Sequence, residues 1–385
     1  MPTTAGKNML YRAALPFLSP RVPGNPIKES EGHPLASQGR LESLLRKHHI
    51  SGGALYLRAG NEEAHVFTAA VHTDMIPDSG TFFRVASITK MATALLAVTL
   101  MDHGLLDPDA DAAGFLPDGE SVPELRGMKI RHLLAHSSGL SDPPNLESFL
   151  EAGRPYREAV SGRRVSEPGT VFRYSNLGFG LLGCIFESVL DLPLEEAFQR
   201  TVFRPLGMNA TLSASTLDET KIMPVIRMLP YREDAALRIT KLGRQRLTTP
   251  DPAVHYGYSA GSMYTDLPSL LALLSCIRND GRPLLSGKFG SFMRIKTNDY
   301  GKASPTLSYG HGLLMIRDSS VSHSVLLGHQ GFAYGCVDGA FWEDDTGNIL
   351  LSLNGGCSEA RTGRLGLANR DLCRWAFSEE MAAWK

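Results

Sequence analysis

A serine and a lysine three residues apart, Ser87 and Lys90, stand at the start of an apolar segment that runs on to Met101. Residues at this spacing share one face of a helix, so the hydroxyl and the amine would be neighbours. A serine at a helix N-terminus also lies among unpaired backbone N–H groups at the positive end of the dipole. Since a weak hydroxyl nucleophile needs an adjacent base and nearby donors, the pair predicts a nucleophilic serine. A capping serine followed by an exposed lysine fits the same spacing.

Two later stretches carry side chains that suit the same chemistry. Tyr174 and Asn176 come just before a helical pattern, and His329 comes before Gly331 at the expected end of a strand. A lysine cation would favour the tyrosine phenolate, which could then take the serine proton. Asparagine offers a donor and an acceptor, and a strand glycine indicates close approach of a backbone or a ligand. Taken singly, a packed tyrosine, a capping asparagine and a half-buried histidine are the simpler explanations.

The composition excludes several classes of protein. The chain has 385 residues, of which 43% are hydrophobic, and 39 basic against 40 acidic residues give a net charge of −1. This predicts a large core and more than one domain, without a nucleic-acid partner. No run approaches the roughly 20 apolar residues of a membrane span, and the N-terminus lacks a signal-peptide core, which predicts a cytoplasmic protein without a membrane span. The five scattered cysteines favour packed, reduced thiols. No motif points to a metal or a cofactor, so neither is expected.

The hydrophobic pattern predicts an α+β fold, an α/β sandwich. Helical spacing covers residues 38–48, 87–103, 130–135, 177–190, 194–202, 267–278 and 364–383, and strand spacing covers residues 52–58, 64–71, 324–329, 336–342 and 348–354. One antiparallel sheet flanked by helices and shared by both chain ends explains this order most simply. We therefore expect an irregular arm at 1–35, a sheet domain at 36–93 and 286–385, and a mostly helical domain at 94–285. Residues 216–256 show no clear period.

The three motifs together, in this order and spacing, resemble the serine β-lactamase and penicillin-binding-protein superfamily. The similarity is to its class C β-lactamase and DD-peptidase branch, and it covers roughly residues 38 to 378. Supporting stretches lie at residues 83–87, 130–140 and 203–208. The resemblance implies an α/β domain built from both chain ends, an inserted all-helical domain, and an active site in the cleft between them.

The same resemblance implies a role for each residue of the motifs. Ser87 would be the acylated nucleophile, Lys90 would share its proton, and Tyr174 would act as general base and then as acid to the leaving group. Asn176 would orient the substrate amide, His329 and Gly331 would line the strand beside the substrate, and the backbone N–H groups of Ser87 and Phe332 would form the oxyanion hole. Whether the lysine or the tyrosine takes the serine proton stays open.

One departure from the class C pattern bears on the substrate. Those lactamases have Lys-Thr-Gly in the third motif, where this chain has His329, Gln330 and Gly331. A histidine is mostly neutral near pH 7, so it attracts the carboxylate of a β-lactam less than a lysine does. A histidine here is more similar to DD-peptidases, D-aminopeptidases and family esterases. The resulting hypothesis is an intracellular serine hydrolase of small esters, amides or peptides; a penicillin-binding DD-peptidase or a β-lactamase is the alternative.

Other interpretations stay open at this stage. The segment from Gly257 to Gly261 matches the Gly-x-Ser-x-Gly elbow of α/β-hydrolases, which would make Ser259 the nucleophile, but the stretch before it is turn-like. An acyltransferase, or a binding module that keeps the fold without turnover, would use or retain the same side chains. His132 and His136 have the spacing of metal ligands on a helix, yet without a neighbouring glutamate they are interpreted as structural. The sequence does not indicate an oligomeric state.

Overall fold

A large antiparallel sheet dominates the computed structural model, which describes residues 27–32, 34–60, 62–69, 75–228, 231–302, 304–333 and 335–381. In these ranges, nine strands pair in the order β1-β3-β2-β14-β13-β12-β11-β10-β9. They are β1 (Ile27–Gly32), β2 (Gly52–Ala59), β3 (Glu62–Ala69), β9 (Asn298–Asp299), β10 (Leu307–Tyr309), β11 (Leu314–Ile316), β12 (Leu326–Ala333), β13 (Cys336–Glu343) and β14 (Ile349–Asn354). The sheet is therefore built from both chain ends, as predicted.

Helices cover both faces of this sheet. They are α1 (Gln38–Lys47), α2 (Thr89–Asp102), α3 (Ile130–Leu134), α4 (Leu146–Glu151), α5 (Tyr156–Val160), α6 (Asn176–Leu190), α7 (Leu194–Phe198), α8 (Ala235–Arg238), α9 (Tyr258–Gly261), α10 (Leu267–Arg278) and α11 (Leu367–Arg374). Helices α1 and α11 pack on one face, and α2 and α10 pack on the other. Successive strand residues point to opposite faces of a sheet. Along β2, Leu55 and Leu57 therefore pack in the core with α1 and α11, while Ala54 and Tyr56 pack in the core with α2 and α10.

Helix α2 lies in the interior of the molecule. Each residue from Thr89 to Met101 is buried, between the sheet on one side and helices such as α6 and α9 on the other. A helix that is apolar on all sides is stable only inside a core, and this one begins directly after Ser87. The position of Ser87 is thus set by a helix that is buried along nearly its whole length.

Several predicted elements differ from those observed. Residues 27–32, expected to be irregular, form the edge strand β1, because pairing with β3 supplies the hydrogen bonds that the local sequence does not reveal. The strand expected to end at His329 runs on to Ala333, since pairing with β13 continues to Cys336. The inserted part is not entirely helical, because β5 (Ala210–Thr211) pairs with β8 (Tyr264–Thr265) and β6 (Ile226–Met228) pairs with β7 (Tyr231–Glu233). β8 also pairs with β4 (Phe83–Arg84), which lies just before Ser87.

Other predictions agree with the structure. The meander β12-β13-β14 and the hairpin β2-β3 are confirmed, and α10 has the predicted bounds and is capped by Asp266. All five cysteines are free and buried. Most of the predicted arm, residues 1–26, lies outside the described residues, and so do Asn61 and Val71. The domain boundaries stay a prediction.

The described part of the chain has no single helix that is both long and apolar enough to cross a membrane. By length and composition alone, Asn176–Leu190 and Leu194–Phe203 meet the criterion only as a pair, and the pair is bent by 84°.

Candidate active site

Ser87 is the middle residue of a 3₁₀ turn, Ala86–Ile88, that leads into α2. Ala86 has φ of 45°, in the left-handed region that side chains with a Cβ disfavour. The Thr89 hydroxyl donates to the Ala86 carbonyl at 2.6 Å and holds this conformation. Such backbone strain is kept only where the surroundings over-determine it. The N-cap of α2 is Ile88, so the serine is not the capping residue that its spacing also allowed.

Strand β12 passes directly behind this turn. A Cβ added at Gly331 would lie 2.3 Å from the carbonyl oxygen of Val85 and 3.4 Å from the Cβ of Asp338. The predicted close approach at this glycine is therefore confirmed, and the approaching group is the backbone two residues before Ser87. The motif at His329 to Gly331 therefore packs directly against the turn that carries Ser87.

Replacing Gly331 by alanine should displace the Ser87 turn and lower the free energy of unfolding by about 1–3 kcal/mol, the usual cost of overpacking. Urea unfolding and ester hydrolysis should both report the change. Gly114→Ala is the matched control, because a Cβ there meets no atom within 4 Å. Wild-type stability in Gly331→Ala would contradict the packing argument.

The Lys90 ammonium is buried and donates three hydrogen bonds. Its acceptors are Ser87 Oγ at 3.0 Å, Asn176 Oδ1 at 2.9 Å and the carbonyl oxygen of Ala260 at 2.7 Å. Removal from water lowers the pKa of Lys90 from 10.5 to about 7, while the Asp142 carboxylate acts in the opposite direction. Near neutral pH, a large fraction of Lys90 is therefore the free amine, directly beside the serine hydroxyl.

Tyr174 also contacts the serine. Its hydroxyl is hydrogen-bonded to the Ser87 side chain, and Lys90 Nζ lies 5.0 Å from the centroid of its ring. Burial raises the pKa of Tyr174 well above its usual range, and the bond to Ser87 offsets this only in part. The side chain is thus a neutral phenol near pH 7, and the expectation that a lysine cation would stabilise its phenolate is wrong, because burial outweighs that attraction.

Asp142 organises the second motif, residues Tyr174 to Asn176, and no spacing in the sequence points to it. Its carboxylate accepts hydrogen bonds from Ser175 Oγ at 2.7 Å, from Asn176 N at 2.9 Å and Nδ2 at 3.2 Å, and from Leu177 N at 3.0 Å. It therefore neutralises the N-terminus of α6 and turns the Asn176 amide so that Oδ1 faces Lys90. An aspartate in a loop after residue 140 has no distinctive spacing, so only the fold reveals it.

His329 is buried, and both of its ring nitrogens are engaged within the protein. Nδ1 lies 2.7 Å from the carbonyl oxygen of Gln330, so it is the donor, and Nε2 accepts from the Tyr309 hydroxyl at 3.0 Å. Burial and the nearby Lys90 lower the pKa of His329 to about 3. The histidine is therefore neutral, as the sequence predicted, and it supplies no charge for a substrate anion.

A cavity of about 870 Å³ opens beside Ser87. Ser87, Asn176 and Phe332 belong to its wall, whereas Lys90, Tyr174, His329 and Gly331 do not. Arg361 is also on the wall, with its guanidinium carbon 3.3 Å from the centroid of the Phe332 ring. The structure thus brings the predicted residues together around one serine, and it adds an arginine at the cavity that the sequence analysis did not identify.

Comparison with known proteins identifies the family. The sequence profile of the Beta-lactamase family matches residues 38–342, which is most of the chain. The chain belongs to the β-lactamase family. Among curated relatives, penicillin-binding protein 4 of Amycolatopsis lactamdurans is 27% identical over 184 residues, 46% of this chain and 48% of that protein. Monacolin J acid methylbutanoyltransferase of Aspergillus terreus is 26% identical over 279 residues, 60% of this chain and 63% of that protein. The chain therefore spans less than two thirds of these relatives' lengths.

Solved structures of the β-lactamase fold agree with the architecture. A D-amino acid amidase from Ochrobactrum anthropi SV3 superposes with a TM-score of 0.68 at 22% identity, covering 87% of this chain and 95% of that one. EstCE1, described as a hydrolase with promiscuous acyltransferase activity, superposes with a TM-score of 0.66 at 22% identity, covering 88% and 97%. At this level of identity the likeness concerns the fold, and it confirms the predicted fold class.

The alternative nucleophile of this β-lactamase-family chain, Ser259, is fully buried. Its hydroxyl donates to the carbonyl oxygen of Phe179 at 2.9 Å, and its own carbonyl accepts from Thr93 Oγ1 at 2.6 Å. Helix α9 packs between α2 and α6, and no strand leads into it as an elbow requires. The contribution of this glycine-rich segment to the site is the carbonyl of Ala260, which accepts from Lys90.

The two histidines of the α3 region have separate surroundings. His132 Nδ1 accepts from the backbone N–H of Lys129 at 3.2 Å at the start of α3. His136 lies among aromatic rings beside Tyr174, with its Nδ1 accepting from the backbone N–H of Ser175 at 3.2 Å. Each thus has one ring nitrogen bonded to the backbone, and the contact of His136 with Tyr174 has no sequence signal.

Proposed function

We propose that this chain is a serine hydrolase that cleaves a small ester or amide through an acyl-serine intermediate. The observation that carries the proposal is the Lys90 amine, which is buried, has a pKa of about 7 and lies with Nζ 3.0 Å from Ser87 Oγ, so its deprotonated form can accept the serine proton. A serine becomes nucleophilic when a base of matched pKa lies within hydrogen-bond reach. Family membership and the hydrogen bond between the Ser87 and Tyr174 side chains support the same assignment.

In the acylation step, the Ser87 proton passes to the neutral Lys90 amine as Oγ attacks the acyl carbon. The Tyr174 phenol donates its proton to the leaving group, while the backbone N–H groups of Ser87 and Phe332 stabilise the oxyanion. In the deacylation step, water attacks the acyl carbon and gives its proton to the Tyr174 phenolate, and Ser87 leaves with the proton of Lys90. The pKa directions of the two side chains favour Lys90 as the first base.

The substrate class follows from the charges at the cavity. His329 is neutral, so the strand beside Ser87 offers no cation, and the cavity wall has no excess of positive charge. Its basic side chains are Arg84, Lys241 and Arg361, and its acidic ones are Asp142, Glu147, Glu151 and Glu359. We infer a small ester, amide or peptide substrate, with penicillin-binding or β-lactamase activity as the alternative. A cytoplasmic location remains part of this proposal.

Acyl transfer is a second candidate, and one relative favours it. The methylbutanoyltransferase of Aspergillus terreus aligns with 60% of this chain. An acyltransferase needs the same acyl-serine and room for an alcohol or amine to replace water, which a cavity of about 870 Å³ provides. Adding an alcohol or amine to the ester assay separates the two functions, because transfer gives a new ester or amide in place of the free acid.

Mass spectrometry of the intact protein tests the proposal. The protein is incubated separately with a fluorophosphonate, p-nitrophenyl acetate and benzylpenicillin, and the labelled peptide is then mapped. We expect one adduct, on Ser87, together with turnover of the ester. A lasting penicilloyl adduct would favour a penicillin-binding peptidase, rapid penicillin turnover would favour a β-lactamase, and absence of any adduct on folded protein would favour a binding module.

Replacing Asp142 by asparagine should disturb the site through the second motif. We expect kcat/KM to fall about 10- to 100-fold and the free energy of unfolding to fall by about 1–2 kcal/mol, because α6 loses its anionic cap. Since Asp142 raises the pKa of Lys90, its loss should also move the acid limb of the pH–rate profile to lower pH.

Asp266→Asn is the matched control for this variant. Asp266 caps α10 by accepting from Ser269 N at 2.8 Å. Its replacement should lower the free energy of unfolding by a similar amount and leave the pH–rate profile unchanged. Equal effects of the two variants on the pH profile would contradict the role of Asp142.

A further inference from the structure

We infer that His136 is a positioning residue that holds Tyr174 in line with Ser87. The inference rests on the proposed function, in which Tyr174 donates a proton to the leaving group. The first observation is a pair of backbone contacts on either side of the tyrosine. The N–H of Arg173 donates to the carbonyl oxygen of His136 at 2.7 Å, and the N–H of Ser175 donates to His136 Nδ1 at 3.2 Å. One residue thus binds both chain neighbours of Tyr174.

The His136 ring also packs against the tyrosine side chain. The two ring centroids are 4.1 Å apart with an interplanar angle of 36°. Phe179 and Tyr309, each with a centroid 4.7 Å from that of His136, fix the imidazole from other directions. The backbone and the ring of Tyr174 are therefore both fixed by the same residue, which leaves its hydroxyl little freedom.

The protonation state of His136 suits this task. A ring nitrogen that accepts the Ser175 N–H carries no proton, so the neutral ring must carry its proton on Nε2. Nε2 is buried and has no hydrogen-bond partner in the described part of the chain. Burial, with Lys90 and His329 nearby, holds the pKa of His136 well below its usual range. The contact with Ser175 therefore persists across the pH range in which Lys90 titrates.

The backbone of His136 explains why the residue type is restricted. Its φ is 53°, and histidine and asparagine adopt this left-handed conformation more readily than most residues. The conformation directs the carbonyl towards Arg173 while the side chain reaches Ser175. Asp142 binds the chain from Ser175 onward, so its contacts cannot replace those that flank Tyr174 on the N-terminal side.

The dependence on the leaving group separates positioning from general structural damage. A p-nitrophenolate departs without much protonation, whereas an alkoxide needs a proton from an acid. His136→Phe keeps a ring but removes the acceptor for Ser175, and His136→Asn keeps an acceptor and the left-handed backbone but removes the ring. For His136→Phe we expect kcat/KM, which reports the acylation step, to fall about 30- to 100-fold for an unactivated alkyl ester and less than about fivefold for p-nitrophenyl acetate. His136→Asn should also slow the alkyl ester more than p-nitrophenyl acetate, by smaller factors.

The control is His132→Asn. His132 Nδ1 also accepts a backbone N–H at 3.2 Å, that of Lys129, but it is not in contact with Tyr174. This variant should keep the wild-type ratio of the two kcat/KM values. Titration of active sites with the fluorophosphonate corrects every variant for misfolded protein.

A double-mutant cycle with Tyr174→Phe completes the test. Because the effect of His136 acts through Tyr174, adding His136→Phe to Tyr174→Phe should cause no further loss on the alkyl ester. Equal losses on both esters, or additive losses in the cycle, would overturn the inference while leaving Ser87 as the nucleophile. Failure of the wild-type protein to form an adduct on Ser87 would instead overturn the proposed function.

Discussion

Replacing Ser87 by alanine should lower kcat/KM for p-nitrophenyl acetate at least about 10⁴-fold, to the background left by binding and oxyanion contacts. The reason is chemical: Lys90 and Tyr174 both bond to this hydroxyl, and neither can form the acyl intermediate without it. Fold and stability should change little, since Ser87 is partly exposed at the cavity and its turn is held by Thr89 and β12. Steady-state hydrolysis, together with circular dichroism, measures both expectations.

Ser259→Ala is the matched control, because Ser259 belongs to the other motif typical of serine hydrolases. Its hydroxyl only packs against α6, so activity should stay within about threefold of wild type while stability falls by about 1 kcal/mol, the value of one buried hydrogen bond. If activity survived the loss of Ser87 and disappeared with Ser259, the assignment of the site would be wrong.

The parts of the site that could be predicted are those encoded by local spacing. Ser87 and Lys90 are three residues apart at a helix start, so elementary helix geometry brings them together. Tyr174 and Asn176 lie on either side of Ser175, the N-cap of α6, so the helix start that the pattern predicted brings them close together. The order of strands and helices likewise gave the sheet shared by both chain ends, because each periodic segment maps onto one element.

The parts that could not be predicted depend on contacts between distant segments. Asp142 and His136 act on the second motif from loops whose sequence has no period, and Arg361 reaches the cavity from the two-residue strand Arg361–Thr362 near the C-terminus. The protonation state of Tyr174 was predicted wrongly for the same reason. Proximity to Lys90 follows from the motifs, but the burial that outweighs it is a property of the whole fold.

Burial of Lys90 leads to the second large effect. Lys90→Met keeps the shape of the side chain and removes the amine, and kcat/KM should fall about 10³- to 10⁴-fold because Ser87 loses its base. In the wild-type protein, activity should rise with pH through about 7, as Lys90 loses its proton. The residual activity of Lys90→Met should not rise with pH near 7, and the pH dependence of kcat/KM measures this.

The same pKa makes stability depend on pH. Lys90 titrates at about 7 in the folded chain and at 10.5 when unfolded, so between these values the unfolded chain binds more protons. The burial penalty is absent above about pH 10.5, grows as the pH falls, and is complete below about pH 7. Since one pKa unit is worth about 1.4 kcal/mol, the penalty reaches roughly 3–5 kcal/mol.

Urea unfolding of wild type and Lys90→Met at pH 7 and pH 10 measures this penalty. Methionine has no titrating group, so Lys90→Met escapes the penalty. As the pH falls from 10 to 7, its unfolding free energy should rise by several kcal/mol relative to that of the wild type. The comparison cancels the pH dependence of all other groups that the two proteins share. A difference that did not vary with pH would mean that Lys90 titrates near its usual value, and that it is charged and unable to act as the base at neutral pH. The stability measurement thus tests the catalytic assignment without any substrate, because the burial that destabilises the lysine is also what makes it a base.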